Sequence, residues 1–311
     1  MAERKTVFTR SALPYLLVLP QLVAALVFVL WPFAEGLQLA LVAIGPDGTP
    51  VFAGLDTVRG AFTDPRFFAS FASTAILVAL LAALTAILGL LFALALNRVL
   101  FRGSAYPALL IWPAAAMPAV AGAMWYLLLD PGIGALAGWY AQAAPSINAG
   151  LAELTAPDWL RLAPEWNHHI YPGQAMVLIV VASLWTLLPV NILLFLAALR
   201  SVPKSLLEAA AIDHAGPWRR LSSITLPLLT PTTAVVLILN IAYGLLETFA
   251  TIQVTTNGGP GGSTSTLLYE TWRSGAEGDP EGAAVRALVL TALVAALALL
   301  QLRHVERAVR A

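Results

Sequence analysis

Six long stretches of this 311-residue chain carry almost no charge, and their length constrains the fold more than any other feature. They cover residues 11–31, 67–97, 103–129, 170–199, 221–246 and 282–302. A helix needs about 20 apolar residues to cross the hydrocarbon core of a bilayer, and in lipid its backbone polar groups must be bonded internally. The sequence therefore predicts an all-α integral membrane protein with six transmembrane helices, organised as a single membrane domain over residues 1–311.

Composition supports lipid as the solvent of this chain. Apolar residues make up 59% of the sequence and charged residues 11%, where soluble domains have about 25% charged residues. The net charge of zero argues against a nucleic-acid partner. The absence of cysteine excludes disulfides, thiol catalysis and cysteine metal sites.

The basic residues predict the orientation of the spans. With the N-terminus inside, twelve of the seventeen Lys and Arg residues fall in cytoplasmic segments. These twelve are Arg4, Lys5, Arg10, Arg98, Arg102, Arg200, Lys204, Arg219, Arg220, Arg303, Arg307 and Arg310. Because cytoplasmic loops carry the excess of Lys and Arg, both termini and the segment 200–220 are predicted to be cytoplasmic.

The long connections are predicted to lie on the opposite side, at 32–66, 130–169 and 251–281. The second of them contains Trp139, Tyr140, Trp159 and Trp166 among Pro and Gly residues, which favours short interfacial helices. Two interpretations of these aromatic residues stay open: a belt at the membrane surface, or a docking surface for a partner.

The segment 200–220 is predicted to form a short docking helix. Residues 204–212 are rich in helix-forming types, Pro203 suits a helix start, and Gly216-Pro217 suits a stop. Such a helix is too short to be stable alone in water, so it must dock on something. Its acidic residues, Glu208 and Asp213, disfavour an anionic lipid surface, and docking onto a protein is preferred.

Polar residues inside the spans are the candidates for a transport path. Asn240, Tyr243 and Glu247 share one face of the fifth span, and Trp185 and Asn191 lie in the fourth. The alternative is that the asparagines bond neighbouring helices together and that Glu247 lies in water at the outer interface.

Two further basic residues, Arg273 and Arg286, lie near the predicted outer mouth. They are candidates to attract an anion or, equally, simple solubilising charges. Arg286 also interrupts the start of the sixth span, where it either snorkels to the interface or faces the bundle interior.

No catalytic or metal site is predicted in the chain. Its two lysines, Lys5 and Lys204, follow no glycine-rich loop, so a P-loop is excluded and ATP would be hydrolysed elsewhere. The histidines lack metal-ligand spacing, and His168 and His169 are expected to point apart as neighbours in a helix or strand.

The docking segment also resembles a known motif. Glu208-Ala209-Ala210, Asp213, Ala215-Gly216 and Ile224-x-Leu226-Pro227 resemble the EAA loop of ABC-importer permeases, in the binding-protein-dependent sugar (MalFG-like) family. His214 departs from the glycine usual there, and Gly216 is expected to supply the flexible position. Asn257-Gly258-Gly259-Pro260 resembles the outer GGP loop of the same family.

Other segments are similar to the branch of this family found in sn-glycerol-3-phosphate importers. They are 13–18 with Pro20-Gln21, Trp166-Asn167-His168, 173–176, and Gln301-x-Arg303-x-Val305-Glu306. The resemblance implies an ABC type I importer permease fold with no cofactor of its own. It also implies a second permease subunit, two copies of an ATPase that binds ATP and Mg²⁺, and an extracytoplasmic substrate-binding protein. Glu208, Ala209, Ala210, Asp213, Ala215 and Gly216 would then couple to the ATPase.

Besides an ABC-importer permease for sn-glycerol-3-phosphate, as the resemblance implies, two other functions stay open. The first is a permease for a sugar or oligosaccharide of the same family. The second is a secondary transporter that works alone on an ion gradient, which the docking helix disfavours.

Overall fold

A computed structural model describes residues 13–44, 49–99, 111–153 and 162–310 of the chain. Helices dominate, with one short hairpin. The helices are α1 (Leu13–Ala25), α2 (Trp31–Leu39), α3 (Asp56–Thr63), α4 (Pro65–Val99), α5 (Pro118–Leu128), α6 (Ala135–Glu153), α7 (Pro172–Ser201), α8 (Lys204–Ile212), α9 (Pro217–Arg220), α10 (Leu226–Leu246), α11 (Phe249–Thr255), α12 (Leu267–Ala276) and α13 (Pro280–Arg310). The hairpin pairs β1 (Val42–Ile44) with β2 (Pro50–Phe52) in antiparallel register, a small departure from the all-α expectation.

Five helical segments of the described residues are long and apolar enough to cross a membrane. They are Tyr15–Leu39, Pro65–Asn97, Pro172–Ser201, Pro217–Leu246 and Pro280–Gln301, which match five of the six predicted spans. The remaining predicted span, 103–129, is described only from residue 111, as a 3₁₀ turn Trp112–Ala115 followed by α5. Residues 103–110 lie outside the described residues, as do 11 and 12 of the first span and the predicted cytoplasmic Arg4, Lys5, Arg10 and Arg102.

Two spans are longer than predicted, and each contains a π-helical turn next to a proline. The first continues past Trp31 to Leu39 through a π-helical turn, Leu26–Leu30, and the fifth begins at Pro217, ahead of its predicted start at Leu221, with a second π-helical turn at Leu221–Thr225. Each π turn ends two residues before a proline, Pro32 or Pro227. A widened turn relieves the clash between a proline ring and the preceding turn, so each helix continues through its proline.

The described residues group into two compact units, and the prediction of one domain stays a prediction. One unit combines the described part of Met1–Asp64 with Thr271–Val289, around a small core of Ala40, Ala61, Ala284 and Val285. The other combines Pro65–Glu270 with the described part of Leu290–Ala311. Its larger cores lie where α4 packs on α7 and α10, with Leu77, Leu81, Ile179 and Phe195 among the fully buried side chains.

Gly89 allows α4 and α7 to approach closely. A Cβ atom at Gly89 would lie 2.9 Å from the Cβ of Asn191, so no larger residue fits without displacing α7. Small residues serve the same purpose in other membrane helix pairs, where close backbone approach replaces the missing hydrophobic drive. This contact fixes the position of Asn191, a candidate site residue.

Candidate functional site

The predicted docking helix is present as α8, which runs over Lys204–Ile212 as expected. It ends in a Schellman motif: the N–H of His214 donates to the carbonyl of Ala211 (3.1 Å), and the N–H of Ala215 to that of Ala210 (2.9 Å). His214 is in the left-handed region, with φ of 52°. The motif needs that conformation at this position, which explains why glycine suits it better than an L-residue.

The expectation that Gly216 supplies the flexible position is wrong. Gly216 has φ of −63° and ψ of 164°, an extended conformation open to any residue, and precedes α9. The bend lies two residues earlier, at His214. The Nε of Arg220 donates to the carbonyl of Ala215 at 2.6 Å and so fixes the loop after the bend.

The surface of α8 combines acidic and apolar groups. Glu208, Ala209 and Asp213 are exposed, whereas Ala210 is buried. The two leucines of the helix differ in environment: Leu207 packs toward the core of its own unit, but Leu206 is exposed. Ile212 and Trp218 are about three-quarters exposed, at 78% and 76%. Residues 13–44, 49–99, 111–153 and 162–310 therefore leave these apolar side chains of α8 and the following loop exposed.

The candidate path residues of the fourth and fifth spans meet between α7 and α10. Asn191 Nδ2 donates to Asn240 Oδ1 at 3.0 Å, and both side chains are fully buried. The hydroxyls of Tyr243 and Thr186 lie 3.1 Å apart. We call Thr186, Asn191, Asn240 and Tyr243 the α7–α10 polar cluster.

Two candidate residues lie outside this cluster. Trp185 is half-buried, and its ring meets that of Trp112 edge to face at 5.0 Å. Glu247 caps the C-terminal end of α10 and is exposed. The sequence reasoning missed Thr186 and Trp112. Thr186 could have been found as a polar residue next to Trp185 within a charge-free span.

The GGP loop is rigidly built onto α4. Gly258 has φ of 78°, and a Cβ there would lie 2.8 Å from the ring of Tyr269, so glycine is required. Ser73 donates to the carbonyl of Ser263 at 3.0 Å, and Thr74 accepts from the N–H of Leu267 at 2.8 Å. These bonds hold the loop to its own unit.

The two neighbouring histidines do not point apart. The rings of His168 and His169 lie 4.2 Å apart and are tilted by 38°, because these residues form a turn rather than a helix or strand. His168 is buried, and this burial, followed by the charge of His169, lowers its pKa below 6.5. Among the described residues, no three His, Asp or Glu side chains are grouped as a metal site.

The two arginines that were predicted near the outer mouth are paired with carboxylates. Arg286 faces the interior, with its side chain 4% exposed and its Nη2 at 2.8 Å from Asp64 Oδ2. Arg273 Nε lies 2.8 Å from Glu277 Oε1. Of the two interpretations for Arg286, the structure favours the interior position over snorkelling.

Comparison with known proteins identifies relatives that match this chain over nearly its whole length. Residues 6–311 match the family described as binding-protein-dependent transport system inner membrane component. The sn-glycerol-3-phosphate transport system permease protein UgpA of Yersinia pestis bv. Antiqua (strain Antiqua) is 41% identical over 312 residues, covering 100% of this chain and 99% of the relative. The UgpA protein of Escherichia coli O157:H7 is 38% identical over 313 residues, with 100% and 99% coverage.

The fold also has a solved counterpart. A chain of a bacterial ABC transporter involved in the import of the acidic polysaccharide alginate superposes with a TM-score of 0.70 at 23% identity, covering 95% of both chains. This likeness supports the ABC permease fold. From the family match and the full-length relatives, the chain belongs to the inner membrane components of binding-protein-dependent transport systems.

Proposed function

We propose that this chain is a permease subunit of an ATP-driven importer for sn-glycerol-3-phosphate, with glycerophosphodiesters as additional cargo. The proposal rests on full-length similarity to permeases named for that substrate. The partners would be a second permease of the UgpE type, two copies of an ATPase of the UgpC type, and an extracytoplasmic binding protein of the UgpB type. ATP and Mg²⁺ would bind the ATPase, and this chain would bind no cofactor.

Orientation is part of the proposal. The excess of Lys and Arg in the segments around 1–10, 98–102, 200–220 and 303–310 supports cytoplasmic termini. The docking loop 200–220 would then lie on the side where ATP is available.

The observation that carries the coupling role is the uncovered surface of α8. Glu208 and Ile212, at i and i+4, share one exposed face of α8, and Leu206 and Trp218 are exposed elsewhere on the helix and the loop. Exposed large apolar side chains beside an acidic residue support an interaction surface. Glu208, Ala209, Ala210, Asp213, Ala215 and Gly216 would couple to the ATPase, with Ala210, Ala215 and Gly216 shaping the loop and the exposed residues meeting the partner.

Charge reversal tests this role. Glu208→Lys should uncouple ATP hydrolysis from uptake while membrane insertion stays normal, because a reversed charge at a desolvated contact costs several kcal/mol, more than the about 0–1 kcal/mol of a surface pair. Glu165→Lys reverses an exposed charge in the 130–169 connection and serves as the matched control. Normal uptake by the Glu208→Lys transporter would contradict the coupling role.

The path would include Trp185, Asn191, Asn240, Tyr243 and Glu247. Asn191 and Asn240 are buried against each other in this conformation, so we expect cysteines placed there to react with small polar thiol reagents only in another nucleotide state. Leu239→Cys, on an exposed face of α10, is the control that should stay unreactive in lipid. Unreactive cysteines at 191 and 240 in every nucleotide state would assign these residues to helix packing alone.

The cargo assignment has its own test. Desolvating a phosphate group requires strong donors, and the partner permease would supply part of them, since Arg273 and Arg286 already pair with carboxylates. Reconstituted with its binding protein, the transporter should show ATPase stimulation by glycerol-3-phosphate and little by maltose. The reverse preference would assign the chain to a sugar importer. Uptake driven by an ion gradient with the purified chain alone would contradict the importer class altogether.

A further inference from the structure

The helix α6, in the connection between the third and fourth spans, has an unusual composition for an exposed helix. It is 19 residues long, and Glu153 at its end is its only charged residue. The sequence predicted several short helices in this connection, and the structure has this one long helix among the described residues. A solvated helix normally carries charge on its outer face. The near absence of charged residues therefore indicates that this helix is not surrounded by water on all its exposed sides.

One side of α6 packs on its own unit. Ala137 and Tyr140 lie in a cluster with Leu129 and Trp166, and the Tyr140 and Trp166 rings meet edge to face at 5.5 Å. Asn148 bonds both backbone groups of a later residue: its Nδ2 donates to the carbonyl of Leu162 at 2.9 Å, and its Oδ1 accepts from the N–H at 2.8 Å. This side of α6 is fixed to the protein.

A second side is apolar and exposed among the residues that the structure describes. Leu136, Trp139 and Ile147 are exposed, Trp139 at 67%. At about 100° per residue, these three lie within an arc of about 80°. The remaining side holds Gln142 and Ala149, both exposed, about 100–120° from the centre of that arc. Three sides with three environments fit a helix that contacts protein, lipid and water.

The preceding turn places α6 at the end of a membrane span. α5 ends at Leu128 and α6 begins at Ala135. Between them, Asp130 Oδ1 accepts from the N–H groups of Gly132 (2.8 Å) and Ile133 (3.1 Å). A Cβ at Gly134 would lie 2.5 Å from the backbone N of Asp130, so this tight turn has no space for a larger residue than glycine at that position. The helix therefore starts directly after the end of the predicted third span, where the chain is expected to leave the membrane.

We propose that α6 lies flat in the lipid–water interface, with Leu136, Trp139 and Ile147 buried among headgroups and upper acyl chains. Trp is the residue type most favoured at this depth, and interfacial helices bury their apolar face about 5–10 Å into the boundary. The exposed arc offers no charge to select a protein partner, which favours lipid over a docking protein. The inference rests on the membrane location of the family and is independent of the cargo.

Spin labels on single cysteines test the arrangement, since the natural chain has no cysteine. Trp139→Cys and Leu136→Cys report on the apolar arc, and Gln142→Cys and Ala149→Cys are the controls on the water side. The labelled chain, with the subunits that copurify, is reconstituted in phospholipid nanodiscs, and collisions with oxygen and with a water-soluble nickel chelate are compared. We expect the oxygen-to-nickel collision ratio to be several-fold higher at 136 and 139 than at 142 and 149.

Three results would overturn the proposal. Equal nickel accessibility at all four positions would place the arc in water. Shielding at 136 and 139 that appears only on addition of the binding protein would make the arc a docking surface. Lipid-like ratios at all four positions would mean that α6 is inserted in the bilayer rather than lying on it. Leu136→Cys keeps the test valid if replacement of Trp139 prevents assembly.

Discussion

Replacing either member of the Arg286–Asp64 ion pair should lower the free energy of unfolding, and by different amounts. Its side chain is 4% exposed, and Nη2 lies 2.8 Å from Asp64 Oδ2, whereas Asp64 is 32% exposed. A second carboxylate, Asp279, is more distant, with Oδ2 at 3.5 Å from Nη1 and the side chain 54% exposed. The desolvation cost of this pair is therefore larger for the arginine than for Asp64.

This asymmetry predicts an order of effects. Among the described residues, Asp64→Ala leaves the buried guanidinium with the longer carboxylate contact to Asp279. Removal of one partner of a buried pair costs about 3–5 kcal/mol. Arg286→Met removes the buried charge and keeps an apolar stem, while the partly exposed Asp64 gains water. We expect a cost of about 1–2 kcal/mol, near the net value of one charge-assisted hydrogen bond. The double variant should resemble Arg286→Met.

The measurement is unfolding of the purified transporter in mixed micelles by SDS titration. Arg59 and Asp56 form a matched surface pair at 3.3 Å, with side chains 77% and 79% exposed, so Asp56→Ala should cost less than about 1 kcal/mol. A smaller loss for Asp64→Ala than for Arg286→Met would refute the reasoning. A loss for Asp64→Ala no larger than that for Asp56→Ala would refute it equally.

Three further perturbations follow from the packing. Gly89→Ala should destabilise the transporter by about 1–3 kcal/mol in the same SDS assay, because its Cβ would overlap Asn191, whereas Gly138→Ala, with open space around it, should be neutral or stabilising. His214→Gly should preserve the docking loop and ATPase coupling. His214→Val should destabilise the loop by about 1–2 kcal/mol and weaken the coupling, since a β-branched residue disfavours the left-handed region. Equal ATPase-coupled uptake by the two variants would contradict the Schellman assignment. Because burial lowers the pKa of His168 in the folded state, its contribution to stability is complete above pH 6.5 and decreases as the pH falls below that value. The thermal midpoint should therefore drop between pH 7.5 and pH 5.5, and His168→Gln should flatten this profile.

The spans and the docking helix were predictable because their signals are local. Whether a charge-free run of about 20 residues forms a transmembrane helix depends on the free energy of transferring each residue into lipid, which the sequence alone supplies. Five of the predicted spans accordingly appear among the described residues. The helix Lys204–Ile212 follows from helix-forming residues flanked by breakers. Boundaries were less accurate at the end of the first span and the start of the fifth, where the helix continues past Trp31 and begins at Pro217 ahead of Leu221. The π turns that accompany both extensions have no recognisable sequence signal.

Contacts between distant residues were decided only by the tertiary structure. The sequence placed Asn191 and Asn240 in neighbouring spans, but their mutual hydrogen bond depends on close approach of α4 at Gly89. From the sequence, Arg286 could lie at the lipid interface or in the interior. In the structure it is buried and bonded to Asp64, which is 222 residues away in the sequence. The sequence by itself determined that this chain has lipid as its solvent and where the helix Lys204–Ile212 forms, and it predicts which side of the membrane carries the excess of positive charge. Which polar groups satisfy one another depends on the packing of helices, because hydrogen bonds and ion pairs act over about 3 Å and composition holds no information at that distance.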